Sequence, residues 1–322
     1  MDRYSVFLGD VGGCSDRYCA AYDRPYSTEE LFDRVASIEG IGGVDLVVNA
    51  GFHSRESEIG GHLARTGLAA VSLNPDLFSD PEFRQGSYSS VSASTRKKAL
   101  DLSLRSVDAA RAYGCPLVVL WPGQDGYDYI FQSDYIAERK RFTDAIREIC
   151  RYAPEITIGL EYKPKEPRTR SYLSTAAVAL LIIQEVGENN CAVTLDYGHA
   201  LYAYENPAES VALLAAHGNR LAHVHMNDNY RSWDDDMIVG TVHTLEYLEF
   251  FYWLGRTGYN GWLTIDQFPY REDGRDAVAE SVRWMQKLRG ALDRMDMSAI
   301  ERVLASKDAV ASSRLMRSIL FP

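Results

Sequence analysis

The chain has 322 residues and a mass of 36.1 kDa, and 46% of its residues are hydrophobic and 25% charged. This is the composition of a folded globular protein, which excludes a disordered, collagen-like or fibrous chain. Thirty-four Lys and Arg against 45 Asp and Glu give a formal net charge of −11, which argues against nucleic acid or an anionic membrane as a partner.

The cysteine pattern indicates the cellular compartment. The five cysteines are scattered and form no Cys-x-x-Cys pair, as expected of reduced thiols in a cytoplasmic protein. No apolar stretch approaches the roughly 18 residues that a membrane span needs. We therefore expect a cytoplasmic protein without a membrane partner.

Short apolar runs alternate with amphipathic segments along the chain. The expected strands are 5–8, 44–48, 69–73, 117–121, 156–160, 192–195, 221–225 and 263–265. The expected helices are 28–38, 94–113, 139–152, 173–186, 208–216, 245–254 and 277–288. Strict alternation predicts parallel strands with helical crossovers. About eight such units without a linker favour an α/β fold of the (β/α)8 TIM barrel type over residues 1–292.

Residues 293–322 follow the expected last barrel helix and still carry apolar helical faces. One face contains Ile300, Val303 and Leu304, and the other contains Leu315, Met316, Ile319 and Leu320. We interpret this segment as a C-terminal helical arm that contacts a neighbouring subunit in a homo-oligomer, a dimer or tetramer. Packing of the arm on its own barrel is the equal alternative.

The last four expected strands each deliver a carboxylate or an imidazole where the strand ends. These residues are Glu161, Asp196, His225 and Asp266. Catalytic groups of such barrels lie at this end of the strands, so the four side chains are expected to meet around one point. Three carboxylates that close repel one another unless a cation offsets them, and a mixed oxygen and nitrogen shell suits Mn, Mg, Co or Zn. Each residue alone is equally consistent with a helix cap or a hydrogen-bonded core residue.

A second group of ligand-type residues follows strands six and seven. His199 lies three residues after Asp196, and Asp234 and Asp236 share side-chain parity in an extended loop while Asp235 points away. A solvated acidic turn is the alternative interpretation of the three aspartates. Their position directly after the strand-seven ligand favours a second metal ion held by His199, Asp234 and Asp236.

Further residues are candidates for substrate binding at the carboxyl end of the barrel, here called the mouth. Lys163 lies two residues beyond Glu161, so alternation places it on the same side of the strand, where its ammonium can polarise a substrate oxygen. A surface lysine is the alternative. Trp121 and Phe78 follow strands four and three and can form a flat apolar wall for a sugar, or plain packing. His53, in the loop after strand two, is a candidate for a hydroxyl contact.

These motifs resemble the xylose-isomerase-like superfamily of metal-dependent barrels over nearly the whole chain. The residues that carry the resemblance are Leu73–Phe78, Val118–Gly123, Glu161-x-Lys163, Leu195-Asp196-x-Gly198-His199, His225–Asp228, Asp234–Asp236 and Asp266-Gln267. Within the superfamily they are most similar to the two-metal L-rhamnose isomerase branch, while Glu166-Pro167-Arg168 resembles xylose isomerases. Single-metal ketose 3-epimerases share the Glu, Asp and His ligands, but are expected to have Glu at position 266 and to lack the Asp-x-Asp pair.

The resemblance implies an aldose–ketose isomerase of a free monosaccharide with two divalent ions per subunit. Manganese is the expected ion, and cobalt, magnesium and zinc are alternatives. One ion would chelate two substrate hydroxyls, and the second, with Asp234 and His199, would activate a water for proton transfer. Lys163 would stabilise charge on the substrate O1 during a hydride shift. The alternatives are a D-xylose substrate or a 3-epimerase. Abasic-site endonucleases share the barrel, but a charge of −11 and seven histidines weigh against them.

Overall fold

The alternating apolar runs form a closed barrel of eight parallel strands, which confirms the predicted fold class. The computed structural model describes residues 2–15, 18–268 and 271–320. The strands are β1 Arg3–Phe7, β2 Ile41–Val48, β3 Ala69–Pro75, β4 Leu117–Leu120, β5 Thr157–Glu161, β6 Cys191–Asp196, β7 Leu221–Met226 and β8 Trp262–Ile265. Each strand pairs with its neighbours in chain order, and β8 pairs with β1 to close the barrel.

Helices cover the outside of the barrel between successive strands. They are α1 Thr28–Ala36, α2 Glu56–Thr66, α3 Ala93–Tyr113, α4 Tyr135–Tyr152, α5 Ala176–Val186, α6 Tyr197–Tyr202, α7 Pro207–Ala216, α8 Thr244–Arg256 and α9 Gly274–Asp293. The sequence pattern did not identify α2, because only Ile59 and Leu63 of its eleven residues are buried. Within the described ranges, no helix combines the length and apolar character of a membrane span.

Local capping fixes where these helices begin. The side chain of Thr175 accepts a hydrogen bond from the backbone N–H of Val178, so α5 starts at Ala176 rather than at residue 173 as expected. The Ser27 side chain and the Glu30 side chain form a reciprocal capping box at α1. The sequence periodicity therefore predicts the existence of a helix, while the cap sets its first residue.

Loops at the carboxyl ends of β4 and β5 are joined by a two-residue antiparallel pair. Gly126–Tyr127 pairs with Arg170–Ser171. Gly126 is required at this position because a Cβ would lie 2.0 Å from the carbonyl oxygen of Arg170. The pair connects the loop that follows Trp121 to the loop that follows Lys163.

Two helices follow the barrel, α10 Met297–Ser306 and α11 Ala309–Leu320. Ile300 is buried in the core, and the Tyr252 hydroxyl donates to Glu301 Oε1 at 2.5 Å. Leu315 and Ile319 of α11 are partly buried against the same core. The arm thus contacts its own barrel, and its role in contacting another subunit stays a prediction.

The burial of a side chain on the outer helices determines how much its truncation lowers the free energy of unfolding. Leu214 of α7 is fully buried, whereas Leu181 of α5 is about half exposed. We expect Leu214→Ala to lower the free energy of unfolding by about 2–5 kcal/mol. The matched Leu181→Ala change should cost about 0.5 kcal/mol or less. Denaturant titration followed by circular dichroism measures both values, and equal losses would contradict this packing.

Candidate metal centre

Four side chains from consecutive strands converge at the carboxyl end of the barrel. They are Glu161 at the end of β5, Asp196 at the end of β6, His225 in β7 and Asp266 directly after β8. One ligand atom from each lies within 4.8 Å of one atom from every other. Strand register explains part of this convergence, because Asp196 is directly opposite His225 across the β6–β7 pair.

The buried imidazole of His225 is the centre of this group. Its Nδ1 lies 3.2 Å from Glu161 Oε1 and 3.3 Å from Asp266 Oδ2. Neither ring nitrogen makes a hydrogen bond with any described residue. Carboxylate oxygens and an imidazole nitrogen that crowd together without hydrogen-bond geometry are the donor set of a divalent cation. The four residues therefore fit a metal ion.

The orientation of Asp196 is fixed by its neighbours. Its Oδ1 accepts the backbone N–H of His199 at 2.7 Å, and its Oδ2 accepts from Asn227 Nδ2 at 2.9 Å. Gly198 allows this arrangement, since a Cβ there would lie 1.9 Å from Asn227 Oδ1. Asn227 and Gly198 thus hold this candidate ligand in place without belonging to the four-residue group.

The second predicted group is partly assembled around Asp234. Asp234 Oδ2 lies 3.1 Å from His199 Nε2 and 2.8 Å from Lys163 Nζ. Asp235 accepts the backbone N–H of Tyr230, so it faces away from this contact. Among the described residues, His199, Asp234 and Asp236 do not form a set with ligand atoms all within 4.8 Å. The structure therefore brings two of the three together and leaves Asp236 further away.

Electrostatic coupling extends across both groups. Burial opposes charge on His225, but Glu161 and Asp266 raise its pKa well above the ordinary value. Burial also opposes charge on His199, whose pKa is raised to about 9 by Asp196 and Asp234. The raised pKa values favour protonated imidazoles, whose positive charge offsets the repulsion among the carboxylates.

The carboxylates respond in opposite directions to these surroundings. Burial raises the pKa of Asp196 to about 6, with a further rise from the surrounding carboxylates. Burial raises the pKa of Asp236 well above its ordinary value, and the adjacent Asp234 adds to that rise. Against burial, Lys163 and His199 hold the pKa of Asp234 below its ordinary value.

Lys163 is buried inside the mouth rather than on the surface. Its Nζ contacts Glu166 Oε2 at 2.7 Å as well as Asp234, and lies 5.2 Å from the centre of the Trp121 ring. The Phe78 and Trp121 rings are 4.6 Å apart and together form a half-buried aromatic wall. The ammonium group and the aromatic wall therefore border the same space.

His53 lies on the short 3-10 helix Phe52–Arg55 after β2. Its Nδ1 contacts Glu56, and its Nε2 is buried with no hydrogen-bond partner among the described residues. No contact of His53 with the four strand-end residues is found in the described ranges. Its role in binding a substrate hydroxyl therefore stays a prediction.

Sequence reasoning missed several buried polar residues beside the centre. Nε2 of His223 in β7 lies within hydrogen-bond distance, 3.2 Å, of Oδ2 of Asp45 in β2. Asp10, after β1, accepts the backbone N–H of Gln267 at 3.1 Å. Two features of the sequence could have indicated these residues. One is an aspartate within the apolar run of β2, and the other is the two-residue spacing that places His223 and His225 on the same side of β7.

Sequence comparison relates the chain to known sugar-converting enzymes. The family model described as xylose isomerase-like TIM barrel matches residues 32–288. The xylose isomerase of Thermus thermophilus is 27% identical over 226 residues, which cover 67% of this chain. The chain spans 57% of the length of that relative.

Solved structures share the fold. A D-tagatose 3-epimerase-like protein matches with a TM-score of 0.71 and 21% identity, over 90% of this chain and 98% of that one. The D-allulose 3-epimerase from Methylomonas sp. matches with a TM-score of 0.69 and 18% identity, over 89% and 96% of the two chains. At these identities the likeness concerns the barrel architecture.

Competition between protons and metal should make binding depend on pH. Metal ligands must lose their protons, and the pKa of Asp196 is raised to about 6 while that of His225 is raised well above its ordinary value. We therefore expect the Mn²⁺ affinity to fall as the pH drops from 8 to 5, most steeply below about 6, and protons to be released on binding at pH 7.

Isothermal titration calorimetry in two buffers with different ionisation enthalpies counts the released protons. Asp235→Asn is the matched control, because that carboxylate faces away from the centre. An affinity that stays constant between pH 5 and 8 would contradict the assigned ligands.

Proposed function

The chain belongs to the xylose isomerase-like TIM barrel family, and on this premise we propose that it is a metal-dependent aldose–ketose isomerase of a free monosaccharide. The observation that carries the proposal is a buried lysine beside a four-ligand centre: Lys163 reaches the mouth where Glu161 and its partner ligands converge. A positive group fixed beside a metal site suits a reaction in which charge develops on a sugar oxygen.

Each ligand group has a defined place in this proposal. Glu161, Asp196, His225 and Asp266 would hold one divalent ion. His199 and Asp234, which already lie together, are the proposed ligands of a second, and Asp236 would have to move closer to join them. When bound, such ions supply Lewis-acid polarisation of the substrate oxygens and fix the open chain of the sugar. The oxygen-rich donor set favours manganese, with cobalt, magnesium or zinc as alternatives.

The side chains of the protein provide the remaining chemistry. The Lys163 ammonium, held by Glu166 and Asp234, donates to the substrate O1 as negative charge develops there. Asp234 Oδ2 faces both Lys163 and His199, and as a carboxylate that stays ionised it orients these two groups beside the oxygens O1 and O2 between which a proton moves. The wall of Trp121 and Phe78 excludes water while hydride passes between C1 and C2.

A single-metal ketose 3-epimerase is the second candidate function. Two carboxylates, Glu161 and Asp266, contact the same imidazole, that of His225. A pair of carboxylates also suits a reaction in which one takes a proton from a substrate carbon and the other returns one. The structural neighbours include a protein named a D-tagatose 3-epimerase-like protein and one named a D-allulose 3-epimerase. The buried Lys163 and the neighbouring Asp234 favour the isomerase, because proton transfer between two carboxylates has no need of them.

The substrate class follows from charge and relatives. The formal charge of −11 suits a neutral sugar, because a sugar phosphate would favour a basic pocket. The motifs of this chain favour L-rhamnose, whereas its relative in Thermus thermophilus is named a xylose isomerase. Both sugars therefore belong in the first assay.

A sugar panel in heavy water separates the two reactions. Metal-stripped protein is incubated with L-rhamnose, D-xylose, D-allose, L-mannose and their ketoses, with and without Mn²⁺, and the products are read by NMR. We expect Mn²⁺-dependent aldose–ketose conversion with little deuterium at carbon, because a hydride shift does not exchange with solvent. Heavy carbon labelling would support the epimerase, and no conversion of any sugar would contradict a monosaccharide substrate of this kind.

The role of Lys163 is tested by removing its charge while keeping its length. We expect Lys163→Met to lower kcat about 10²–10³-fold with metal binding retained, since one charge-stabilising donor is lost. Lys165→Met is the matched control: Lys165 lies over the Tyr202 ring and should keep a near wild-type rate. Steady-state kinetics at saturating Mn²⁺ measures both, and near-normal turnover of Lys163→Met would exclude the role.

A further inference from the structure

A group of large apolar side chains is exposed in the loop before α4 and in the first turn of that helix. This rim patch consists of Tyr129, Ile130, Phe131, Tyr135 and Ile136, which are 77%, 86%, 98%, 51% and 85% exposed. Scattered exposed hydrophobic residues are normal on a protein surface, but five within eight positions are not. An exposed apolar patch of this size indicates a site of protein association.

The outward direction of these side chains is built into the loop. Gln132 Oε1 accepts the backbone N–H groups of Asp128 and Tyr129 at 2.7 and 2.9 Å, which closes a turn around Phe131. Phe131 has a φ of 61°, a conformation that costs free energy for a non-glycine residue. Asp134 then caps α4 by accepting the N–H of Ala137 at 3.0 Å. An ordered turn thus presents the apolar groups to solvent.

Size and composition identify the kind of partner. A fully covered aromatic side chain buries about 150–250 Å², so the three aromatic residues, which are 51–98% exposed, together with the two isoleucines offer on the order of 700 Å². This is close to the roughly 800 Å² that one partner contributes to a standard interface. Residues 127–136 contain no Lys or Arg, and the whole chain carries a charge of −11. That charge pattern disfavours an anionic membrane.

We propose that the rim patch is the interface with a second copy of this chain, in an isologous dimer. A two-fold axis would place the patch of one subunit on the patch of the other, so that each Phe131 becomes buried. The patch follows directly on the strand pair Gly126–Tyr127 and Arg170–Ser171, which joins the Trp121 loop to the Lys163 loop. Dimer formation would therefore stabilise the two loops that border the mouth. This assigns the subunit contact to the barrel rim instead of the C-terminal arm.

Sedimentation velocity tests the interface independently of any activity. We expect the wild-type protein to sediment as a dimer at micromolar concentration and the double variant Ile130→Glu/Phe131→Glu as a folded monomer, because two buried charges on each side would oppose association. Val310→Glu is the matched control, since Val310 is a 57% exposed residue of α11 in the arm, and it should remain a dimer.

Hydrogen exchange supplies a second measurement. We expect exchange of the amides of residues 129–136 to slow as the concentration of the wild-type protein rises, and to be independent of concentration in the double variant. A monomeric wild-type protein, a double variant that stays dimeric, or dissociation by Val310→Glu alone would each overturn the proposal.

A separate observation concerns polar groups beneath the metal centre. The barrel interior usually contains branched apolar residues at this level, but here Asp45 lies fully buried among hydroxyl and imidazole groups. Its Oδ1 accepts from Thr264 Oγ1 at 3.1 Å, its Oδ2 faces His223 Nε2 at 3.2 Å, and Ser72 Oγ also donates to Oδ2. These contacts hold the carboxylate rigidly.

Oδ2 of Asp45 also faces His225, one of the four proposed metal ligands. Nε2 of His225 lies 4.0 Å from Asp45 Oδ2 and has no hydrogen-bond partner among the described residues. Nδ1 of the same ring faces Glu161 and Asp266. A histidine that ligates through Nδ1 carries its proton on Nε2, and such protons are usually donated to a carboxylate or a carbonyl.

From this geometry we infer that Asp45 is a positioning residue for His225, acting as the carboxylate of a carboxylate–histidine–metal triad. A shift of roughly 1 Å brings Nε2 into hydrogen-bond range of Oδ2. The inference rests on the proposed metal centre, and it concerns metal affinity rather than turnover.

Mn²⁺ titration and the visible spectrum of the Co²⁺-loaded protein test this role. We expect Asp45→Asn to weaken Mn²⁺ binding about 10–100-fold and to shift the Co²⁺ bands, because the imidazole becomes a weaker donor. Thr194→Val is the control, since Thr194 is fully buried and its hydroxyl has no partner in the described ranges. It should leave both readings unchanged.

The outcomes separate this inference from the metal centre itself. A wild-type protein that binds no Mn²⁺ would refute the centre, whereas normal binding and an unshifted Co²⁺ spectrum in Asp45→Asn would refute only the triad. If Asp45→Asn does not fold, His223→Gln removes the group that holds Asp45. A smaller loss of affinity is then expected, and no loss would overturn the inference.

Discussion

Mutual repulsion of buried carboxylates is the constraint on which the carboxyl end of this barrel depends. Glu161, Asp196 and Asp266 offer oxygens within 4.8 Å of one another around His225. At an effective dielectric constant of about 20, each such pair of charges repels by about 3–4 kcal/mol. Burial adds to this cost, so the arrangement persists only where positive charge is placed among the oxygens. The raised pKa values of His225 and His199 are the direct result.

The surrounding structure serves to keep these groups in place. Asn227 and the backbone of His199 hold the two oxygens of Asp196, and Asn229 Nδ2 donates to the carbonyl of Gly198 at 2.9 Å. Asp228 fixes the other end of the same loop by contacting His243 Nδ1 at 2.8 Å. The loop that carries Asp234 is thus attached to α6 by Asn229 and to the start of α8 by Asp228. Rigid attachment of this kind is what a preorganised site requires.

The sequence was sufficient to predict the barrel and the convergence of four side chains at its carboxyl end, because both follow from periodicity. Buried strands alternate with amphipathic helices, and residues at successive strand ends must meet when a barrel closes. Lys163 was predicted on the same side as Glu161 by two-residue alternation, and the structure places both at the mouth. The family assignment from these motifs is confirmed by the match over residues 32–288.

Features that depend on tertiary context could not be predicted in this way. Helix α2 was missed because only two of its residues are buried. Asp45 was missed because its partner His223 lies 178 positions away and pairs with it only across the barrel interior. Asp236 has a backbone φ of 47°, so it does not continue the extended segment that the prediction from side-chain parity assumed.

The contact of Lys163 with Asp234 has a consequence for any ion that enters the site. Lys163 and the two imidazoles act as internal counter-ions, so much of the acidic charge at this end of the barrel is offset by the side chains of the chain itself. An ion that bound between the four strand ends would therefore compete with the proton of His225 for the same carboxylate oxygens.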